Sequence, residues 1–176
     1  MLDVNGCTDT QSVVISQPGV LGLTLTNANV TCNGLSNGSI TCVGTGGTTP
    51  YQFSLNSGTY QTSNVFSSLS PGTYTVTIKD INGCLSNKSV VITQPTALSV
   101  SATSTTNVDC KGNSTGSVTV SGAGGTTPYT YNIGGGSYAS ASTFGTLAAG
   151  TYTIGVKDAN GCTSSVSVTI TEPNVL

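Results

Sequence analysis

This chain of 176 residues contains no Arg, no His and no Trp. Without His there is no Ser-His-Asp or Cys-His catalytic pairing, and the Cys/His type of metal site is excluded as well. No CxxC pair occurs either, which removes a zinc ribbon. Charged residues are 6% of the chain, against about 25% in ordinary soluble domains. Six acids face four lysines, for a net charge of −2. A nucleic-acid groove needs clustered Lys and Arg, so that function class falls away. No apolar run approaches the ~20 residues that span a bilayer. No basic amphipathic stretch suggests a membrane surface. No apolar segment follows Met1 as in a signal peptide, so the start is read as a boundary within a longer protein. A helical spacing of apolar residues is missing throughout.

Ser, Thr, Gly and Asn fill the space that charges usually occupy. They suit turns and the solvent faces of strands, and they suit helices poorly. The apolar residues recur with period two. Tyr74, Val76 and Ile78 alternate with Thr73, Thr75, Thr77 and Lys79. Tyr51, Phe53 and Leu55 alternate with Gln52 and Ser54, and Ile40 and Cys42 with Ser39 and Thr41. Such strands bury one face and wet the other. The expected fold class is all-β: tandem Ig-like or fibronectin-like antiparallel β-sandwiches of Greek-key type, with about seven strands per copy.

The chain repeats itself. Gly47-Thr48-Thr49-Pro50-Tyr51 returns as Gly125-Thr126-Thr127-Pro128-Tyr129, and Gly72-Thr73-Tyr74-Thr75 as Gly150-Thr151-Tyr152-Thr153. Lys79-Asp80-Ile81-Asn82-Gly83-Cys84 returns as Lys157-Asp158-Ala159-Asn160-Gly161-Cys162, and an earlier copy opens the chain as Asp3-Val4-Asn5-Gly6-Cys7. Each copy closes on Gln17-Pro18, Gln94-Pro95 or Glu172-Pro173. The expected organisation is therefore residues 1–18 as the last strand of a preceding repeat, with Val13 and Ile15 on one face, then whole repeats over 19–95 and 96–176.

Within this frame, Tyr74 and Tyr152 sit just after a turn and at the start of a strand. That is the place of the tyrosine corner, where a phenol hydrogen-bonds backbone near the turn. The Asp-x-Asn-Gly sequences read as hairpin turns with Gly or Asn at positive φ. The alternative of calcium binding there would need six to eight oxygens gathered at one point. Lys79 and Lys157 fall on the water face, which argues against a core Lys–Asn isopeptide bond. The four Asn-x-Ser/Thr sequons, at Asn29, Asn37, Asn87 and Asn113, are expected in a chain so rich in Ser and Thr. Gly44 to Gly47 and Gly134 to Gly136 lack the Lys-Ser/Thr ending of a phosphate loop and read as loops. Cys42 has Val120 as its counterpart, so it is expected to be a buried free thiol.

The ordered motifs Val30-Thr31-Cys32-Asn33-Gly34, Gly38-Ser39-Ile40, Thr49-Pro50-Tyr51, Gly72-Thr73-Tyr74 and Asp80-Ile81-Asn82-Gly83-Cys84, repeated once, resemble the SprB repeat. That family occurs in very large surface adhesins of gliding Bacteroidota. Many members carry a Trp after the Pro-Tyr pair; this chain has none, and Leu55 and Ile133 sit in that region. The resemblance implies secretion by the type IX route, display at the outer surface of the cell, and a structural or adhesive role without catalysis or cofactor. The partners expected are neighbouring repeats of the same chain, with surface polysaccharide or other cells as further candidates, and neither nucleic acid nor membrane insertion. Two other functions compete: a carbohydrate-binding module, for which Tyr60 and Tyr138 are the best exposed aromatics, and a non-catalytic appendage of a secreted enzyme.

An exported chain is expected to oxidise its remaining cysteines. Three schemes fit the spacing. Within a repeat, Cys32 pairs with Cys84 and Cys110 with Cys162, both 52 residues apart. Across the linkers, Cys7 pairs with Cys32 and Cys84 with Cys110. In a staggered scheme, Cys32 meets Cys162. Equal spacing favours the first. Ig topology argues against it, because Cys32 and Cys84 would stand at opposite ends of a sandwich.

Overall fold

The computed structural model describes residues 4–6, 8 and 10–174. Among them are twelve strands and no helix. Six belong to the first copy: β1 (Gly22–Ala28), β2 (Gly38–Thr45), β3 (Gln52–Leu55), β4 (Val65–Leu69), β5 (Gly72–Lys79) and β6 (Leu85–Ile92). The second copy repeats them as β7 (Ser99–Thr106), β8 (Gly116–Ala123), β9 (Thr130–Ile133), β10 (Thr143–Leu147), β11 (Gly150–Lys157) and β12 (Thr163–Ile170). Each copy thus has six strands rather than seven. They form three-stranded sheets in the orders β1-β2-β4 and β3-β5-β6, then β10-β8-β7 and β12-β11-β9. The described pairings are antiparallel: β11 with β12 and β9, β8 with β7 and β10, and β3 with β5.

The chain divides into two compact units. One holds residues up to Leu25, Thr41–Asn64 and Thr75–Ser89; the other holds Thr26–Ile40, Val65–Tyr74 and everything from Val90 onwards. The second unit therefore contains the whole second copy. There the two sheets share one core, with Val100, Val118 and Val120 from one sheet meeting Ile154, Val156 and Ile170 from the other. Each fully buried aliphatic side chain contributes about 1.5–3 kcal/mol. Short strands suffice here because alternation places every second residue in that core. Val30, Ile40, Leu69 and Ile92 are also buried in this unit.

In the first unit, Cys42, Phe53, Val76 and Ile78 are buried. Ser54, expected on the water face, is buried too, at 2% exposure. Beside it, the chain doubles back so that Phe53 and Gln61 exchange backbone hydrogen bonds of 2.8 and 2.9 Å. Residues 10–20 form no strand, in contrast to the strand expected at 1–18. Val13, Val14 and Ile15 are 79–94% exposed. A strand with no pairing edge and no face to pack against has nothing to hold it.

The Gly-rich run is only partly a loop, because Gly44 and Thr45 complete β2. At Gly44 a Cβ would lie 2.8 Å from the Tyr51 ring. At Gly122 it would lie 2.9 Å from the Tyr129 ring, whose hydroxyl donates to Gly124 O at 2.6 Å. Glycine followed by Pro-Tyr is thus one device: the ring packs close against backbone that has no side chain.

Candidate functional site: the cysteine turns

The Asp-x-Asn-Gly-Cys segments link the second and third strands of their sheets, and each is built around its aspartate. In the second copy, Asp158 Oδ1 accepts from the N–H groups of Asn160 at 3.0 Å and Cys162 at 2.8 Å, while Oδ2 accepts from Thr126 N at 2.8 Å. The Asp158 backbone N–H donates to Cys162 O at 3.0 Å, and Gly161 supplies the positive φ of 83° that closes the turn. The first copy matches it. Asp80 accepts from Asn82 N, Cys84 N and Thr48 N at 2.8–3.0 Å, with Gly83 at φ 84°. Both aspartates are buried, at 2% and 4% exposure. Burial works to raise the Asp80 pKa, but the N–H donors of Thr48, Cys84 and Asn82 outweigh it and hold the carboxyl below its ordinary value. Sequence reasoning saw these residues as turn formers and missed that each carboxylate is spent on three backbone donors. Asp3 and Cys7 of the earliest motif lie outside the described residues.

A second kind of turn carries the other cysteines. Gly34 at φ 81° donates its N–H to Gln94 Oε1 at 2.7 Å, and Gly112 at φ 79° donates to Glu172 Oε2 at 2.9 Å. This explains the recurrent Gln-Pro and Glu-Pro pairs: their side chains hold the turn that presents Cys32 or Cys110. Asp109 adds contacts in the second copy. The Thr115 hydroxyl, the Asn113 amide and the Cys110 N–H donate to its Oδ1 at 2.7, 3.1 and 2.7 Å, and they lower its pKa.

The two kinds of turn meet within the second unit. Cys32 is disulfide-bonded to Cys162, with Cα atoms 5.7 Å apart. Asn160 Nδ2 donates both to Thr126 Oγ1 and to Thr31 O, each at 3.0 Å. A cleft of about 340 Å³ beside the bond is lined by Leu35, Ala97, Leu98 and Thr163. The pairing favoured on equal spacing is corrected. Cys32 is bonded to Cys162, so neither Cys32–Cys84 nor Cys110–Cys162 exists, and the linker-spanning Cys84–Cys110 bond is absent too, because both thiols are free and exposed. The physical reason is the topology: Cys84 and Cys162 follow β5 and β11, at the end of the sheet away from the tyrosine turns.

The other singled-out residues are placed as follows. Tyr74 Oη donates to Ser70 O at 2.9 Å, and Tyr152 Oη to Ala148 O at 3.0 Å, each four residues upstream across the turn. Cys42 is a free thiol at 1% exposure, and burial raises its pKa. Tyr60 is 37% exposed, and Tyr138 is partly covered. The Lys79 ammonium lies 4.2 Å from the Tyr60 ring centre, and Lys157 lies 4.5 Å from that of Tyr138. One face of each ring is thus already taken by a cation. Among the described residues, no group of three or more Cys, Asp or Glu could hold a metal ion.

The chain matches no curated protein. Among solved structures it is similar to the three N-terminal domains of the bacteriophage RB49 highly immunogenic outer capsid protein, at 15% identity and a TM-score of 0.51. That match covers 86% of this chain and 59% of the phage structure, so the chain spans less than two thirds of it. Weaker similarity links it to a C-terminal fragment of intimin (14% identity, TM-score 0.40, 88% of this chain and 64% of the other). Similarity to domains 4–9 of the surface layer protein SbsC is weaker again (19% identity, TM-score 0.36, 90% and 31%). The SprB repeat model matches residues 24–60 and 102–137, which hold the Cys32 and Cys110 turns and the Pro-Tyr motifs. The chain thus carries two segments, one in each copy, that match the SprB repeat.

Proposed function

We propose that this chain is a spacer or adhesive segment of a large cell-surface protein, built from whole repeats over 19–95 and 96–176. The observation that carries the reading is the disulfide between Cys32 of the first SprB repeat and Cys162, in the last hairpin of the second copy. A bond that ties one copy to the next serves a chain whose task is to hold repeats in series outside the reducing cytosol. The match to the SprB repeat supports surface display, export by the type IX route in a Bacteroidota-like cell, and a part in attachment or gliding. On this reading the fragment does no catalysis, and its partners are neighbouring repeats together with surface polysaccharide or other cells. The test is labelling of intact source cells with antibody raised against residues 96–173. Labelling before permeabilisation, removed by external protease, is expected. Labelling only after lysis would sink the reading.

The carbohydrate-binding alternative has one observation in its favour, a cleft of about 360 Å³ lined by Pro50, Tyr51, Lys79 and Asp80. A glycan array separates the two readings: saturable binding abolished by Tyr51→Ala favours the module, and its absence favours the spacer.

A further inference from the structure

The bonded pair Cys32 and Cys162 is made of two half-sites, and the chain contains each half-site a second time. The turn that presents Cys84 has the hydrogen bonds of the turn that presents Cys162, contact for contact. Asn82 Nδ2 donates to Thr48 Oγ1 at 3.0 Å, as Asn160 Nδ2 donates to Thr126 Oγ1. The turn that presents Cys110 is the counterpart of the one that presents Cys32. Gly112 is held by Glu172 as Gly34 is held by Gln94. Both second cysteines are exposed thiols.

We infer that Cys84 and Cys110 are the unfilled halves of the same joint, so that the Cys110 turn of one chain receives the Cys84 turn of another chain, head to tail. This rests on the spacer reading above. One observation besides the thiols points to the occupant. It is the hydrogen bond from Asn160 to Thr31 O, because a backbone oxygen accepts whatever side chain its residue carries. Asp109 O stands in the position of Thr31 O, and Asn82 in that of Asn160. The interface is heterologous, so joining one pair of chains leaves a free Cys110 turn on one chain and a free Cys84 turn on the other.

The covalent step is a thiol–disulfide exchange. The Cys110 and Cys84 thiols give up two protons and two electrons to an external low-molecular-weight disulfide such as oxidised glutathione, which leaves as two thiols.

The test uses the full chain carrying Cys7→Ser in a glutathione redox buffer at high protein concentration. Chains with Cys84→Ser and chains with Cys110→Ser are mixed in equal amounts. Non-reducing gels and mass spectrometry of the linked peptides then count each pairing. A Cys110–Cys84 heterodimer well above the statistical share is expected, with Cys32–Cys162 intact. Asn82→Ala in the Cys84-bearing chain should lower the heterodimer several-fold. Pairing at the random share, an excess of Cys84–Cys84 or Cys110–Cys110, no dimer at all, or indifference to Asn82→Ala would each overturn the inference. A chain labelled on intact cells that fails this test keeps the spacer reading and loses the joint.

Discussion

At position 42 a thiol stands where the second copy has Val120, and the two are buried alike, at 1% and 3% exposure. A buried Cys of this kind packs as a small hydrophobe, and the raised pKa keeps it protonated and slow to react. Cys42→Val is expected to cost under about 1.5 kcal/mol, because it nearly conserves volume. Urea denaturation of the two proteins measures it. A larger loss would mean that the sulfur makes an interaction that packing does not explain. The aspartates behave differently, because their charge is engaged. A carboxyl whose pKa is lowered on folding contributes stability above its unfolded value, about 4. That contribution is lost as pH falls through the folded value. Asp80 and Asp109 both have lowered values. Stability should hold steady from about pH 7 to about 5 and decline below about 4. Denaturant midpoints across that range test the sign, and Asp80→Asn should flatten part of the decline. At this scale the sequence was legible where a pattern repeated within a few residues. Cys42 could be placed by its counterpart, and Tyr74 and Tyr152 by the turn before them. The burial of Asp80 and Asp158 was not legible. A turn needs only a local carboxylate oxygen, and the donor from Thr48 or Thr126 comes from 32 residues away.

Strand placement was readable because half-buried strands alternate, as β5 does with Val76 and Ile78 at 0% exposure beside half-buried Thr75 and Thr77. The alternation misled at Ser54, which is buried along with Phe53 where the chain doubles back to pair Gln61 with Phe53. It also over-counted strands, since a short apolar run does not say whether it pairs. The two edge strands of one sheet show how such a chain avoids pairing with its neighbours. The register of β7 slips between Ala102 and Ser104, and that of β10 between Phe144 and Leu147. Bulges of this kind twist an edge away from further pairing. The glycine under the aromatic ring gives the prediction proper to this scale. In Gly122→Ala the new methyl would press on the Tyr129 ring, which its own hydrogen bond holds in place. A loss of about 1–3 kcal/mol is expected from overpacking. Thermal and urea unfolding of the variant read it directly, and an unchanged stability would show that the ring tilts freely.

Connectivity was the feature least available from sequence, since equal spacing within each copy pointed to one pairing and topology to another. Its consequence belongs to the molecule as a whole. The bond between Cys32 and Cys162 closes a loop with a sequence separation of 130. A pull applied to the two ends of the chain therefore crosses from Cys32 to Cys162 through sulfur, and the residues between them carry none of the tension. Even if both sandwiches came apart, that length would stay in reserve. Reduction would release it, adding ~430 Å of contour at about 3.3 Å per residue. Single-molecule stretching with and without dithiothreitol should show that difference, and equal contour lengths under the two conditions would contradict it. The bond then works as a fuse set by redox poise: in an oxidising medium the strand is nearly inextensible, and a local supply of thiol turns the same strand into a long shock absorber.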